Sequence, residues 1–118
     1  DTEHRIILLG FSQGATTAVR WMVNNRFRPF QLVLWAGSFP HDIDAKQHSE
    51  LFNELPVHFA YGSQDQFLAE IDMSAKASEF DKMGLRLKMW RFEGKHVMDK
   101  PTLSKIVDSF DGQILSAR

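Results

Sequence analysis

The sequence predicts an α/β fold: a parallel sheet with helices on both faces, built from a strand–helix unit repeated four times. Three observations lead there. Four segments, Arg5–Leu9, Gln31–Ala36, Val57–Tyr61 and Leu85–Phe92, read as strands, and each precedes a stretch patterned as a helix. Glycine and proline punctuate the boundaries between these segments. The first three strands are continuous apolar runs, as strands covered on both faces should be. Strand, helix and strand in alternation give parallel pairing with right-handed crossovers.

Each element has its own signal. Arg5-Ile6-Ile7-Leu8-Leu9 is a buried-looking strand, and after Gly10–Gly14 the residues Ala15, Ala18, Val19, Met22 and Val23 recur at helical spacing. Pro29 closes that helical region. The run Gln31–Ala36 ends at Gly37-Ser38-Phe39-Pro40, a loop, and Asp44 is placed to cap a short helix over Asp44–Asn53. Pro56 introduces the third strand, and Gly62–Asp65 is the loop after it. A helix from about Glu70 to Met83 carries Met73, Ala77 and Phe80 on one face and stops at Gly84. In the fourth strand Leu85, Leu87 and Met89 alternate with Arg86 and Lys88, which predicts one solvated face, as on a sheet edge. Pro101 opens a last helix with Leu103, Ile106, Val107, Phe110 and Ile114 at helical spacing.

Composition narrows the function classes. A chain of 118 residues makes one domain at most, and 43% hydrophobic with 25% charged residues is ordinary for a soluble globular protein. The net charge of −1, without runs of like sign, gives no electrostatic case for nucleic acid or an anionic membrane. No stretch reaches the ~18 apolar residues of a membrane span, and no signal-peptide pattern opens the chain. The absence of cysteine excludes disulfides, thiolate catalysis and cysteine metal sites, and fits a cytoplasmic protein. His96 and Asp99 are close in sequence, but no third ligand is spaced to join them, so no metal and no cofactor are implied. The chain starts without Met and almost directly on an apolar strand. The expectation is therefore a piece of a longer protein, in which a missing amino-terminal half or a partner chain pairs the first strand.

The chemistry gathers at the predicted carboxyl ends of the strands, where open parallel sheets bind ligands. Gly10-Phe11-Ser12-Gln13-Gly14 is a G-x-S-x-G between a strand and a helix, the setting that exposes a serine hydroxyl as a nucleophile. The glycines of such a turn are expected where a Cβ would crowd the serine backbone or the crossing helix. Serine needs a positioned base and the base an orienting group. Asp65 follows the third strand and His96 the fourth, so the order is Ser, Asp, His, and each interval leaves room for a helix and a strand. In these roles Ser12 attacks an acyl carbon and His96 acts as general base, then acid. Asp65 holds the imidazole, and the Gln13 backbone N–H donates to the oxyanion. Phe11, Phe39 and Phe67 are the aromatic residues placed to touch a substrate. Plainer roles compete: Ser12 as a helix cap, His96 as a loop histidine, Asp72 and Asp99 as caps that rival Asp65. His4, His41, His48 and His58 are expected to be unremarkable, His58 as a packed strand residue.

With Leu9-Gly10-Phe11-Ser12-Gln13-Gly14, Tyr61-Gly62-Ser63-Gln64-Asp65 and Phe92-Glu93-Gly94-Lys95-His96 in hand, the chain resembles the carboxyl-terminal half of an α/β-hydrolase. Within that superfamily it is most similar to the phospholipase/carboxylesterase group, which includes acyl-protein thioesterases. The resemblance implies a cofactor-independent esterase or thioesterase, acting on a small-molecule or acylated substrate, with Ser12, Asp65 and His96 as triad. It departs from the group at Ala15, where another glycine is common, and at Val97, where a small hydroxyl residue is common. The fold's second oxyanion donor comes from a loop before the elbow strand, a region this chain does not contain. Two other readings use the same residues. One is a non-catalytic interaction module with an exposed edge strand. The other is a phosphate binder at the helix N-terminus, which leaves Asp65 and His96 unexplained and lacks a Walker lysine or G-x-G-x-x-G.

Overall fold

The computed structural model describes residues 5–68 and 71–116, with side chains through residue 110. Four strands form one sheet in the order β1-β2-β3-β4: β1 (Ile7–Phe11), β2 (Gln31–Trp35), β3 (Pro56–Gly62) and β4 (Arg86–Phe92). All three pairings are parallel, with Gly10 beside Leu34, Trp35 beside Ala60, and Gly62 beside Phe92. Between them run α1 (Gln13–Asn25), a 3-10 turn (Ala45–His48) continued by α2 (Ser49–Phe52), a second 3-10 turn (Gln66–Leu68) and α3 (Met73–Lys82). Helix α4 (Lys100–Ser116) closes the order.

The period-two alternation of the strands divides the core into two layers. Leu32, Leu34, Val57 and Phe59 face Ala15, Val19 and Met22 of α1, Leu51 and Phe52 of α2, and Phe80 of α3. Val33, Trp35, Ala60 and Phe92 face the other way, onto Ile106 and Phe110 of α4. Helices therefore cover both faces, as the sequence predicts. Each fully buried Leu, Val or Phe contributes about 1.5–3 kcal/mol, so β2, buried along its whole length, anchors the sheet.

Several expectations need correction. The first strand is covered less fully than expected: Leu8 packs on one face and Ile7 and Phe11 on the other, but Leu9 is 38% exposed, and among the described residues β1 is an edge that borders β2 alone. The strand also runs through Gly10 and Phe11, which concentrates the chain reversal at Ser12. The segment 44–53 is not one helix. Asp44 does cap it, accepting from the Lys46 N–H at 3.0 Å, but the first turn is 3-10. Helix α3 starts at Met73 because the Asp72 carboxylate accepts from the N–H groups of Ser74 and Ala75. Glu70 lies outside the described residues, as do His4 and the Ile114 side chain. Val107, expected in the apolar stripe of α4, is 46% exposed; Ile106 and Phe110 make the contact instead. The Asp99 carboxylate accepts from both the N–H and the hydroxyl of Thr102, which caps α4. No described helix is long and apolar enough to cross a membrane.

Candidate active site

Ser12 sits between β1 and α1 with φ 57° and ψ −121°, a backbone state that costs a non-glycine residue about 1–3 kcal/mol. Two bonds hold it there. Its N–H donates to the Trp35 carbonyl at 2.7 Å, and its own carbonyl accepts from Ala15 at 3.0 Å. The side chain makes no capping bond, so the helix-cap role is not the one it plays. A Cβ on Gly10 would strike the Gly14 carbonyl and lie 2.6 Å from Ala15 Cα. One on Gly37 would strike the Ser12 carbonyl and lie 2.5 Å from Ala15 Cβ. Around Gly14, by contrast, a Cβ would meet nothing within 4 Å. The steric requirement thus falls on Gly10 and Gly37 rather than on both glycines of the motif.

The freed hydroxyl meets the histidine. His96 Nε2 lies 2.9 Å from Ser12 Oγ, and its Nδ1 lies 2.6 Å from Asp65 Oδ2. A carboxylate can only accept, so Nδ1 carries the hydrogen and Nε2 offers its lone pair to the serine hydroxyl; this tautomer follows from the bonding pattern. Asp65 is 2% exposed, and its second oxygen accepts from the Phe67 N–H at 2.9 Å. Both carboxylate oxygens are engaged, which fixes the rotamer that aims Oδ2 at the ring.

The loops bearing Asp65 and His96 are locked to each other. Ser63 N–H donates to the Phe92 carbonyl at 2.8 Å and Gln64 N–H to that of Gly94 at 2.7 Å. The backbones approach so closely that a Cβ on Gly62 would strike the carbonyls of Gly94 and Lys95. Trp35, absent from the sequence-derived site, ties the histidine loop to the sheet. Its indole N–H donates to the Val97 carbonyl at 2.9 Å, while its ring packs on Phe92. The available signal was a tryptophan ending the most buried strand, since a buried indole N–H needs an acceptor.

The other expected residues divide. Phe11 and Phe67 flank the imidazole, with ring centroids 5.1 and 4.6 Å from that of His96. Phe67 is 75% exposed and stands open to a ligand. Phe39 does not reach this site; it is 4% exposed and packs edge-on against Phe52 and Phe80 in the core. Its place after β2 put it near the strand ends, but its side chain turns inward. Gln13 begins α1, so its N–H is among those a helix leaves without an internal acceptor. His41 is exposed and His48 half-buried. Buried His58 is held between Gln31 Oε1, 2.7 Å from its Nε2, and the Trp90 indole, which donates to its Nδ1 at 3.0 Å. Burial, with a smaller push from Lys88, lowers its pKa to about 4. Among the described residues no three His, Cys, Asp or Glu are grouped to hold a metal ion.

Residues 2–113 match the profile of the phospholipase/carboxylesterase family. The chain belongs to that family. Three solved α/β-hydrolase structures share the fold of this phospholipase/carboxylesterase chain. Esterase PE8 superposes with a TM-score of 0.66 at 19% identity, over 90% of this chain and 49% of its own. SOBER1 from Arabidopsis thaliana gives 0.65 at 15%, over 85% and 49%. YahD, solved with malic acid, gives 0.57 at 14%, over 83% and 47%. The chain thus spans about half the length of these structures. No curated protein matches it significantly.

Proposed function

We propose that this chain carries the catalytic residues of a serine hydrolase that cleaves carboxylic esters or thioesters through an acyl-enzyme. The observation that supports this best is the relay itself: Ser12 Oγ, His96 and Asp65 in line at 2.9 and 2.6 Å, on a strained elbow. Ser12 Oγ attacks the acyl carbon as its proton passes to His96 Nε2. Asp65 stabilises the imidazolium that results and keeps the ring from turning. The Gln13 N–H, at the positive end of α1, donates to the developing oxyanion, and one such donor is worth about 10²–10³ in rate. His96 then returns the proton to the departing alcohol or thiol. Water, deprotonated by the same nitrogen, releases the acid from Ser12. Phe11 and Phe67 form apolar walls beside the imidazole and receive the apolar part of a small-molecule or acylated substrate. A cytoplasmic setting, suggested by the lack of cysteine, belongs to the same reading.

The exposed apolar residues Ile6 and Leu9 on and beside β1 support a further element of the proposal. Another strand pairs that edge, supplied by a flanking segment of the protein or by a partner chain. The test is intact mass after exposure to a fluorophosphonate, for this chain, its Ser12→Ala variant and the natural protein that contains it. One adduct on Ser12, lost in the variant, is the expected result. No adduct on the natural protein would overturn the hydrolase reading and favour a non-catalytic interaction module. An adduct on the natural protein alone would mean that flanking residues complete the site.

A further inference from the structure

The 3-10 turn Gln66–Leu68 leaves one large apolar side chain outside the core, and the reason is local. Two bonds to Asp65 pin the turn: its carboxylate Oδ1 accepts from the Phe67 N–H at 2.9 Å, and its carbonyl accepts from the Leu68 N–H at 3.1 Å. Leu68 points inward and packs in the layer of Trp35 and Phe92, while its neighbour Phe67 points outward and is 75% exposed. An exposed Phe is ordinary on a protein surface. Its position is what gives it a use, because the ring centroid lies 4.6 Å from that of the His96 imidazole. Phe11 lies 5.1 Å from the same imidazole but also packs against the core layer. Phe67 is therefore the more open of the two rings beside the base.

The chemistry of the relay says which part of a substrate comes to that ring. His96 Nε2, 2.9 Å from Ser12 Oγ, takes the serine proton as the bond from Oγ to the acyl carbon forms. It passes the same proton to the alcohol or thiol as the bond to that group breaks. The departing oxygen or sulfur must then lie about 3 Å from Nε2. Its substituent comes beside the imidazole and the rings that flank it, whereas the acyl chain extends from the other side of the scissile bond. The carboxylates of the histidine loop are engaged elsewhere, Glu93 with Ser63 and Arg91 and Asp99 with Thr102. Val97 and Met98, which follow His96, are apolar and exposed.

We propose that Phe67 determines specificity for the leaving group: its ring packs against an aromatic ring carried by the departing alcohol or thiol, so that esters and thioesters of aromatic alcohols and thiols are preferred over alkyl ones. This rests on the hydrolase reading above and adds the class of the leaving group to it. Aromatic rings pair edge-to-face or offset with centroids about 4.5–7 Å apart and gain more than burial alone provides. Phe67 offers an open ring for such a pair at the group that protonates the departing atom.

The test compares kcat/KM for benzyl acetate and ethyl acetate, which form the same acetyl-enzyme and differ only in the alcohol released. It uses the natural protein that contains this chain and its Phe67→Ala and Phe67→Tyr variants, each checked for a native thermal transition. Phe67→Ala is expected to lower the benzyl-to-ethyl ratio about fivefold, and Phe67→Tyr, which keeps a ring, to hold it within about twofold. The ratio for ethyl hexanoate over ethyl acetate, which varies the acyl chain alone, is expected to stay within about twofold in both variants. A benzyl-to-ethyl ratio in Phe67→Ala within about twofold of the natural protein's would overturn the proposal. An equal or larger fall in the hexanoate-to-acetate ratio would also overturn it, since the ring would then serve the acyl chain. A fluorophosphonate adduct on Ser12 without cleavage of benzyl acetate removes the leaving-group subsite alone. No adduct and no cleavage of any of these esters removes the hydrolase reading and the subsite with it.

Discussion

Replacing Trp35 by Phe asks whether the inner strand β2 governs the reactivity of the serine. The substitution keeps an aromatic ring against Phe92 but deletes the N–H that the Val97 carbonyl accepts at 2.9 Å. Leaving that carbonyl without its donor costs about 1–3 kcal/mol. The smaller ring also leaves a void at a side chain with no solvent exposure, which adds about 1 kcal/mol. Their sum is about 3 kcal/mol, or about 12 °C in thermal midpoint for a domain of this length. The larger effect is on chemistry. Val97 follows His96, whose Nε2 must stay 2.9 Å from Ser12 Oγ, and a displacement of about 1 Å costs about 10² in rate. The assay is the pseudo-first-order rate of fluorophosphonate labelling of Ser12, well below both thermal midpoints and as a function of pH. Labelling should slow by about tenfold to a hundredfold, with substrate KM changed much less than kcat. A variant that melts about 12 °C lower yet labels within about twofold of the parent would refute the reasoning and leave Trp35 a packing residue only.

Other consequences are open to measurement. Gly37→Ala pushes a methyl into the Ser12 carbonyl and should destabilise by about 2 kcal/mol or more, whereas Gly14→Ala, with open space around its Cβ, should gain up to about 1 kcal/mol of helix propensity. Thermal melts of the two variants shifting in the same direction would contradict the assignment of the steric requirement to Gly37. Asp65→Asn keeps an acceptor for the Phe67 N–H but loses the charge facing His96, so turnover should fall by about 10⁴ with the fold intact. Activity within tenfold of the parent would remove Asp65 from the relay. His58 stays neutral in the folded protein down to about pH 4, while the unfolded chain takes up its proton near pH 6.5. Its contribution is therefore complete above pH 6.5 and declines as pH falls toward 4, by about 3 kcal/mol in all. Urea midpoints across that window should fall steeply in the parent and less in His58→Gln, whose amide can serve both Trp90 and Gln31; equal slopes would mean that another group controls acid stability.

Most of the architecture was legible because it is written locally. Helical and strand periods identified the elements, and Asp44, Asp72 and Asp99 act as caps through bonds that span only two or three residues. The strand–turn–helix at Ser12 and the loops after β3 and β4 were legible for the same reason. Errors arose wherever a side chain could turn either way. Phe39 and Phe67 both sit near strand ends, yet one fills the core and the other stands open beside His96. Val107 and Ile106 are adjacent in one helix, and only contact with the sheet selects between them. The coverage of β1 depends on what lies beside it, which its own residues do not encode.

The sequence by itself determined the order of strands and helices, the sharp turn at Ser12 and the placement of Asp65 and His96 in loops at one end of the sheet. These follow from local sterics, hydrophobic period and turn chemistry. Only the tertiary structure decided that the three side chains meet and that Trp35 braces the loop behind the histidine. Ser12 and His96 are 84 residues apart, so no local preference sets their distance. It is fixed by the packing of β2, by the Ser12 N–H bond to the Trp35 carbonyl, and by the backbone bonds that clamp the loops after β3 and β4 to each other.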